Sequence, residues 1–462
     1  MDELSLLQDA DERARRYVAG ADARRVFPED SAIDALERFS ERLPDTGRPD
    51  AETLALLDDV GSPATVASNG PNYYGFVVGA TLPAAAAADR LVLAWDQTAS
   101  SFANSPAAAT LEKVAAGWVL EALDLPRESA VGFGTSATAC TLICLTAARR
   151  TLLKRHGWDF DGEGLVGAPP IRVVVSEAVH ITVKKTLRVL GFGTNNLIVA
   201  PVDEFGRVDP KRLPALDGST ILCLQAGEVN TGEFDPFAEI IPAARKAGAW
   251  VHVDGAFGLW ARASKKLKPM TEGVELADSW TTDGHKWLNT PYDAAMAICR
   301  DADALAASMN SDAVYATSSS DSQKNLTLEF SRRARGVSVW AALRSLGRNG
   351  IEQLVERHCA QAQRIADGLK AAGFNVLNRV VLNQVVARAD TEQSTTAIRE
   401  AAQRSGTIWF GPTVWRGQSA FRFSVSSWRT TDAHIDRAIA LMTRSWSELT
   451  PQNAASPEVA PS

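Results

Sequence analysis

The sequence predicts an α/β fold: a large, mixed but mostly parallel sheet with helices on both faces, plus a small α+β C-terminal domain. Three observations carry this. Between residues 131 and 300, short β-rich runs alternate with helical ones, as strand–helix–strand crossovers require. Several runs end in small or polar residues (Gly134 to Ser136, Asp254, Lys286), and ligands of open α/β sheets bind at such strand ends. Beyond a long helical stretch from about 331 to 372 the pattern turns to FNVLN, VLNQVVARA, GTIWFGPTVW and AFRFSVSS, with a last helix near 431–447.

Taken in order, residues 1–60 carry Arg, Asp and Glu at helical spacing and predict two or three amphipathic helices that need something else to pack on. GSPATVASNGPNYYGF (61–76) is rich in turn residues and reads as loop. Residues 82–125 are helical again, with Pro106 suited to a first turn. The strand candidates follow: VGFGT, IRVVVSE, LIVAPV, TILCLQA, AWVHVDG, DSWTTDG and AAMAICR. The polar stretch ATSSSDSQKN (316–325) predicts a mobile loop, and the tail 448–462 a disordered end.

The 462 residues suggest about three domains at roughly 150 residues each. A net charge of −7 argues against nucleic acid, whose phosphates call for clustered Lys and Arg. No apolar run reaches the ~18–20 residues of a membrane span, and the first residues lack a basic-then-apolar layout, so neither a membrane helix nor a signal peptide is expected. Cys140, Cys144, Cys223, Cys299 and Cys359 stand in apolar surroundings without a second Cys/His pair at zinc spacing. Buried thiols, no metal and a reducing cytoplasm are the expectation.

The chemistry-bearing residues concentrate in DGAFGLW (254–260) and TTDGHKWLNTPYD (281–293), preceded by His180 and by a Gly/Ser/Thr turn at 134–138 that opens a helix. With NYYGF, LPAAAAADRL, NSPAAATLE, TSATACTL, SEAVH, GEVNTGEFDP, SRRARG and FRFSVSSWRTT in their order, this set resembles the group II amino-acid decarboxylases. These are pyridoxal-phosphate (PLP) enzymes of fold type I, in the aspartate aminotransferase superfamily, and the resemblance spans residues 60–445. It implies a homodimer with the active site at the subunit interface and residues 1–60 packed on the partner subunit. It also implies a PLP-binding domain over 61–310, and a loop, long helix and small domain over 311–447.

The resemblance assigns roles. Lys286 would carry PLP as a Schiff base, which needs a deprotonated amine. Asp254 would face the pyridine nitrogen and keep it protonated, so that the ring can accept electrons from Cα. Ala256 would pack on one ring face and His180 on the other, where an imidazole can also reach the substrate and move a proton. Ser136, Ala137 and Thr138, at a helix N-terminus, would bind the phosphate with His285. His252, two residues before Asp254, points to the same face of its strand and reads either as support for Asp254 or as packing.

Several positions depart from the family pattern. Ala139 stands where relatives carry Glu, leaving the phosphate register open by one residue. Glu228 replaces a Thr or Asn near the cofactor's 3′ oxygen, so it either points away or changes the substrate or reaction. Around 313–326, Lys324 and Asn325 stand roughly where aromatic decarboxylases place a loop tyrosine that protonates Cα; Tyr315 is the one tyrosine nearby and aligns ahead of the loop. Tyr73, Tyr74 and Phe76 are substrate-contact candidates, though the two tyrosines read equally as packing. Thr98 and Ser100, where aromatic decarboxylases are apolar, suggest a more polar pocket.

The reading that results is decarboxylation of an L-amino acid to an amine and carbon dioxide. Its rivals are PLP-dependent carbon–carbon cleavage like that of sphingosine-phosphate lyase, decarboxylation-linked oxidation to an aldehyde, and a homologue without activity.

Overall fold

The computed structural model describes residues 2–310 and 322–449. Tyr315, most of the polar stretch 316–325 and nearly all of the expected tail lie outside the described residues.

All seven strand candidates form strands: β1 (Ala130–Gly134), β2 (Arg172–Ser176), β3 (Ile198–Ala200), β4 (Thr220–Gln225), β5 (Trp250–Asp254), β6 (Ser279–Asp283) and β7 (Ala295–Cys299). They make one sheet in the order β1-β7-β6-β5-β4-β2-β3. The pairs β2/β3, β2/β4, β4/β5 and β5/β6 are parallel. β7 runs antiparallel to both its neighbours. The connection into β7, residues 284–294, is too short for the helical crossover that a parallel return needs.

Strands β4 to β7 are buried at every position. Layers cover both faces, so these strands read as near-continuous apolar runs rather than alternating ones. On one face the helix Ala137–Arg155 lays Cys140, Ile143, Cys144 and Ala147 onto Val173, Val175, Ile221 and Cys223. Four of the five cysteines are buried there as free thiols, and Cys359 is half-buried.

The chain falls into two compact units. One holds residues 77–362 with 378–384, and therefore the whole large sheet. The other joins the first 76 residues to 363–377 and to the chain from Val385 onward. The N-terminal helices Glu3–Ala19, Asp30–Asp34 and Asp50–Leu56 thus share a unit with C-terminal strands. Val26 N–H donates to Gly406 O at 2.7 Å, and His434 Nε2 meets Asp22 Oδ1 at 2.7 Å. The small sheet of this unit runs β10 (Gly411–Trp415), β11 (Gln418–Ser424), β9 (Gln384–Arg388), β8 (Asn375–Val376). Its hairpin turns on Arg416 and Gly417, both at positive φ, as the two-residue turn matched to strand twist requires.

The long helix Arg335–Ala371 is not continuous. Gly347 stands at φ 59° and ψ 179°, outside helical geometry. Glycine reaches positive φ at little steric cost, and LGRNG supplies one where the helix breaks.

Two of the ordered motifs meet in a buried ion pair. Arg332 donates from both terminal nitrogens to Glu112, at 2.8 and 2.7 Å, and Gly336 N–H adds a third bond to the same carboxylate at 3.2 Å. Both side chains are almost wholly buried. Removing one partner leaves an uncompensated buried charge, which costs about 3–5 kcal/mol. Glu112→Ala should therefore lower unfolding stability by about that amount in urea titration. A wild-type midpoint would show that the pair carries no such weight.

Candidate active site

Because β1, β2, β4, β5 and β6 point the same way, their C-terminal ends line one edge of the sheet. There lie the turn after β1 (Ser136, Ala137, Thr138), His180 after β2, Glu228 after β4, Asp254 at the end of β5 and Asp283 at the end of β6. Polar backbone and side-chain groups can emerge there without interrupting the sheet. Gly134 and Asp283 are paired with the same residue, Ala295 of β7, from opposite sides. The helix beginning at Ala137 is thereby brought within reach of β6.

Lys286 sits on a tightly held turn. Gly284 N–H bonds Ala294 O at 2.9 Å, and Thr290 N–H bonds Gly284 O at 3.1 Å. Outside the turn, Gly79 N–H donates to His285 O at 3.1 Å and Leu82 N–H to Asn289 O at 2.8 Å. A Cβ on Gly79 would come 2.1 Å from Lys286 O, so only glycine permits this approach. Trp287, buried, donates from Nε1 to His358 Nδ1 at 2.9 Å. The Lys286 side chain remains 22% exposed, with Nζ 3.0 Å from Asp283 Oδ2. His285 is buried, its Nδ1 3.2 Å from Ala294 O, and its ring stacks on Tyr292 at 4.2 Å. Burial lowers the His285 pKa; Asp283, whose carboxylate lies 3.8 Å from Nε2, acts against that.

Asp254 is buried, and its Oδ1 accepts from Ala256 N–H at 3.1 Å. Its register partner on β4 is Gln225, whose side-chain nitrogen is buried without a hydrogen-bond partner. His252 turns its ring to Ser279 Oγ at 3.0 Å and Thr281 Oγ1 at 3.5 Å rather than to Asp254. His180 caps the helix Ile181–Val189: Nδ1 accepts from Thr182 N–H at 3.4 Å and lies 2.6 Å from its hydroxyl. The Glu228 carboxylate folds into its own turn, accepting from the backbone of Asn230 (2.9 Å) and Thr231 (2.8 Å) and from both their side chains.

Tyr73, Tyr74 and Phe76 belong to the unit with the small sheet. Tyr74 is fully buried against Phe423, which fits the packing alternative. Tyr73 stacks on Trp409 at 5.0 Å, the packing alternative; Phe76 is exposed. Thr98 is exposed, while Ser100 is buried, its hydroxyl bonded to Asn104 and its carbonyl to Lys324 N–H. Lys324 and Asn325 are themselves buried, with Lys324 Nζ 5.3 Å from the Phe330 ring.

Asp283 and Gln225 escaped the sequence reading. The signal for Asp283 was the DGHK string itself, an acid three residues before the lysine. Nothing marked Gln225 out, since its position beside Asp254 follows from strand order.

Residues 47–389 match the model of the pyridoxal-dependent decarboxylase conserved domain. The chain belongs to this family. Pyridoxal-dependent decarboxylases similar to it include tryptophan decarboxylase 1 of Oryza sativa subsp. japonica, 27% identical over 420 residues, covering 82% of this chain and 81% of that protein. Phenylacetaldehyde synthase of Arabidopsis thaliana is 24% identical over 432 residues, covering 86% of each. In fold, a crystal structure of Oryza sativa TDC with PLP and tryptamine superposes at TM-score 0.88, with 23% identity and coverage of 97% and 98%. This decarboxylase is thus a PLP-dependent carboxy-lyase of fold type I, as its motifs imply.

The residues fit PLP. Lys286 offers a partly exposed amine, Asp254 a buried carboxylate, and Gln225 an unpartnered buried donor beside it. The helix starting at Ala137 offers backbone amides, with Ser136 as its cap.

His252 makes the enzyme's stability pH-dependent. Burial pushes its imidazole down to about 4, against a smaller opposing effect of Asp254. Above ~6.5, the ordinary histidine value, the ring is neutral folded and unfolded. Below it the unfolded chain takes up a proton that the folded protein refuses. Stability should fall by up to about 3 kcal/mol between pH 6.5 and 4. Urea unfolding across this range should give a shallower decline for His252→Gln than for wild type; parallel curves would refute the assignment.

Proposed function

We propose that the enzyme removes the carboxylate of an L-amino acid as carbon dioxide and releases the amine, with Lys286, Asp254 and His180 at the reacting centre. The observation that carries this is Asp254 and the Asp283–Lys286 turn on the ends of adjacent parallel strands, in a member of the pyridoxal-dependent decarboxylases. PLP, when bound, supplies the electron sink for the pair left at Cα. Asp254 would hold a proton on the ring nitrogen, its carboxylate oriented by Ala256 N–H. Ala256 and His180 would confine the ring from opposite faces, and Ser136, Ala137, Thr138 and His285 would seat the phosphate. Lys286 would yield its place to the substrate amine, with Asp283 Oδ2 as the nearby proton acceptor. Since His180 Nδ1 accepts from Thr182 N–H, the ring turns Nε2 away from its own helix, where it would hydrogen-bond the substrate and, once protonated, could pass a proton toward Cα.

The substrate side chain we favour is small or polar. This preference rests on Thr98 and Ser100, polar residues at positions where the family resemblance places apolar ones. Tryptophan and tyrosine decarboxylases among the relatives make aromatic acids the rival class. A second reading, oxidation to an aldehyde, draws support from the phenylacetaldehyde synthase among those relatives. A homodimer, with the site at its interface, is supported by the helix Glu3–Ala19, which buries no residue and exposes Leu4 and Leu7. We place the enzyme in the cytoplasm.

Two experiments test the reaction. The holoenzyme reduced with borohydride should carry cofactor on Lys286, and Lys286→Ala should lose both that label and nearly all turnover. Label on another lysine would remove Lys286 from its role. Asp254→Ala should fold and bind cofactor yet turn over about 10²–10³-fold more slowly; near-wild-type turnover would remove Asp254 from the ring nitrogen.

A panel of amino acids, with carbon dioxide, amine, aldehyde and hydrogen peroxide all measured, decides substrate and outcome. Amine from a small or polar acid, with minor aldehyde, is expected. Clean stoichiometric amine from tyrosine or tryptophan would overturn the side-chain class, and peroxide equal to carbon dioxide would favour the aldehyde reading.

A further inference from the structure

The first amide of the helix Ala137–Arg155, the natural seat for a phosphate, is already taken by a carboxylate of the chain itself. Asp283 accepts from Ala137 N–H through Oδ1 at 2.7 Å. Its other oxygen lies 3.0 Å from Lys286 Nζ. The side chain is 3% exposed, and Asp283 N–H is fixed to Ala256 O at 2.9 Å. Ala139 N–H bonds the Ser136 hydroxyl at 3.3 Å. One buried carboxylate therefore bridges the two places where PLP must be gripped, the phosphate seat and the amine.

We propose that Asp283 is an internal stand-in for the cofactor phosphate, so that PLP loads by displacing it from Ala137 N–H and from Lys286. This rests on the reading of this strand edge as the PLP site. A phosphate monoester carries a charge near −2 at neutral pH. It cannot share a buried amide with a carboxylate while both are fully ionised, because like charges in a poorly solvated site repel strongly. Lys286, for its part, has no lone pair for the aldehyde while its ammonium donates to Asp283. Transfer of one proton from Nζ to Oδ2 meets both requirements. The amine becomes neutral and nucleophilic, the carboxyl becomes neutral beside the phosphate, and no proton is exchanged with solvent. The new C–N bond then forms with loss of water from the aldehyde carbon.

The test uses the apo form of the full chain. Pyridoxamine phosphate, which forms no bond to Lys286, reads the phosphate seat directly; pyridoxamine is the matched probe without phosphate. Asp283→Asn should bind pyridoxamine phosphate about tenfold more tightly than wild type, since a neutral amide removes the repulsion, and should leave pyridoxamine affinity unchanged. Unchanged or weaker binding of pyridoxamine phosphate, or equal tightening of both probes, would overturn the proposal.

A second measurement needs no variant. Inorganic phosphate, by taking the Ala137 amide, should free Lys286 and speed its modification by pyridoxal, trapped with borohydride and located by mass spectrometry. A rate that phosphate leaves unchanged or lowers would overturn the proposal on wild-type protein. If wild-type apoprotein takes up no PLP at all, the cofactor reading of the edge fails; if it takes up PLP and these arms fail, only the role of Asp283 falls.

Discussion

Much of this molecule follows from the burial of both faces of the parallel strands β2, β4, β5 and β6. A strand covered on both sides has no place for an unpaired charge along its length. The acids of β5 and β6 accordingly stand at their last residues, Asp254 and Asp283. Parallel pairing puts these ends on one edge, and the polar groups meet without any segment bending to reach another. His252, inside β5, can also take up a charge, and burial keeps its ring neutral between Ser279 and Thr281.

Precision at that edge depends on the short link into β7. Residues 284–294 reverse the chain, and the reversal is bound to residues 79 and 82 outside it as well as to Ala294 within it. The backbone of Lys286 is thereby held at a fixed place three residues beyond Asp283. The buried neighbours His285 and Trp287 hold the backbone, while the lysine side chain keeps partial access to solvent. Such an arrangement positions the amine through its scaffold.

Asp283 serves two groups of this edge at once. One carboxylate oxygen accepts from the first amide of a long helix and the other meets Lys286 Nζ. Glu228 shows the contrasting solution: its charge is absorbed by four donors from its own turn.

The sequence by itself determined the strand–helix alternation, all seven strands of the large sheet, and the motifs that mark Lys286, Asp254 and His180. These are local properties: hydrophobic runs, turn residues and short ordered strings survive in one dimension. Only the tertiary structure decided the antiparallel course of β7, the break at Gly347, and the burial of Tyr74 against Phe423. It also decided that Asp283 reaches Ala137 and that Gln225 stands beside Asp254. Each of these depends on which strands lie next to one another or on how a chain reversal closes. Residues 146 positions apart, as Ala137 and Asp283 are, become neighbours through a pairing that neither stretch encodes alone.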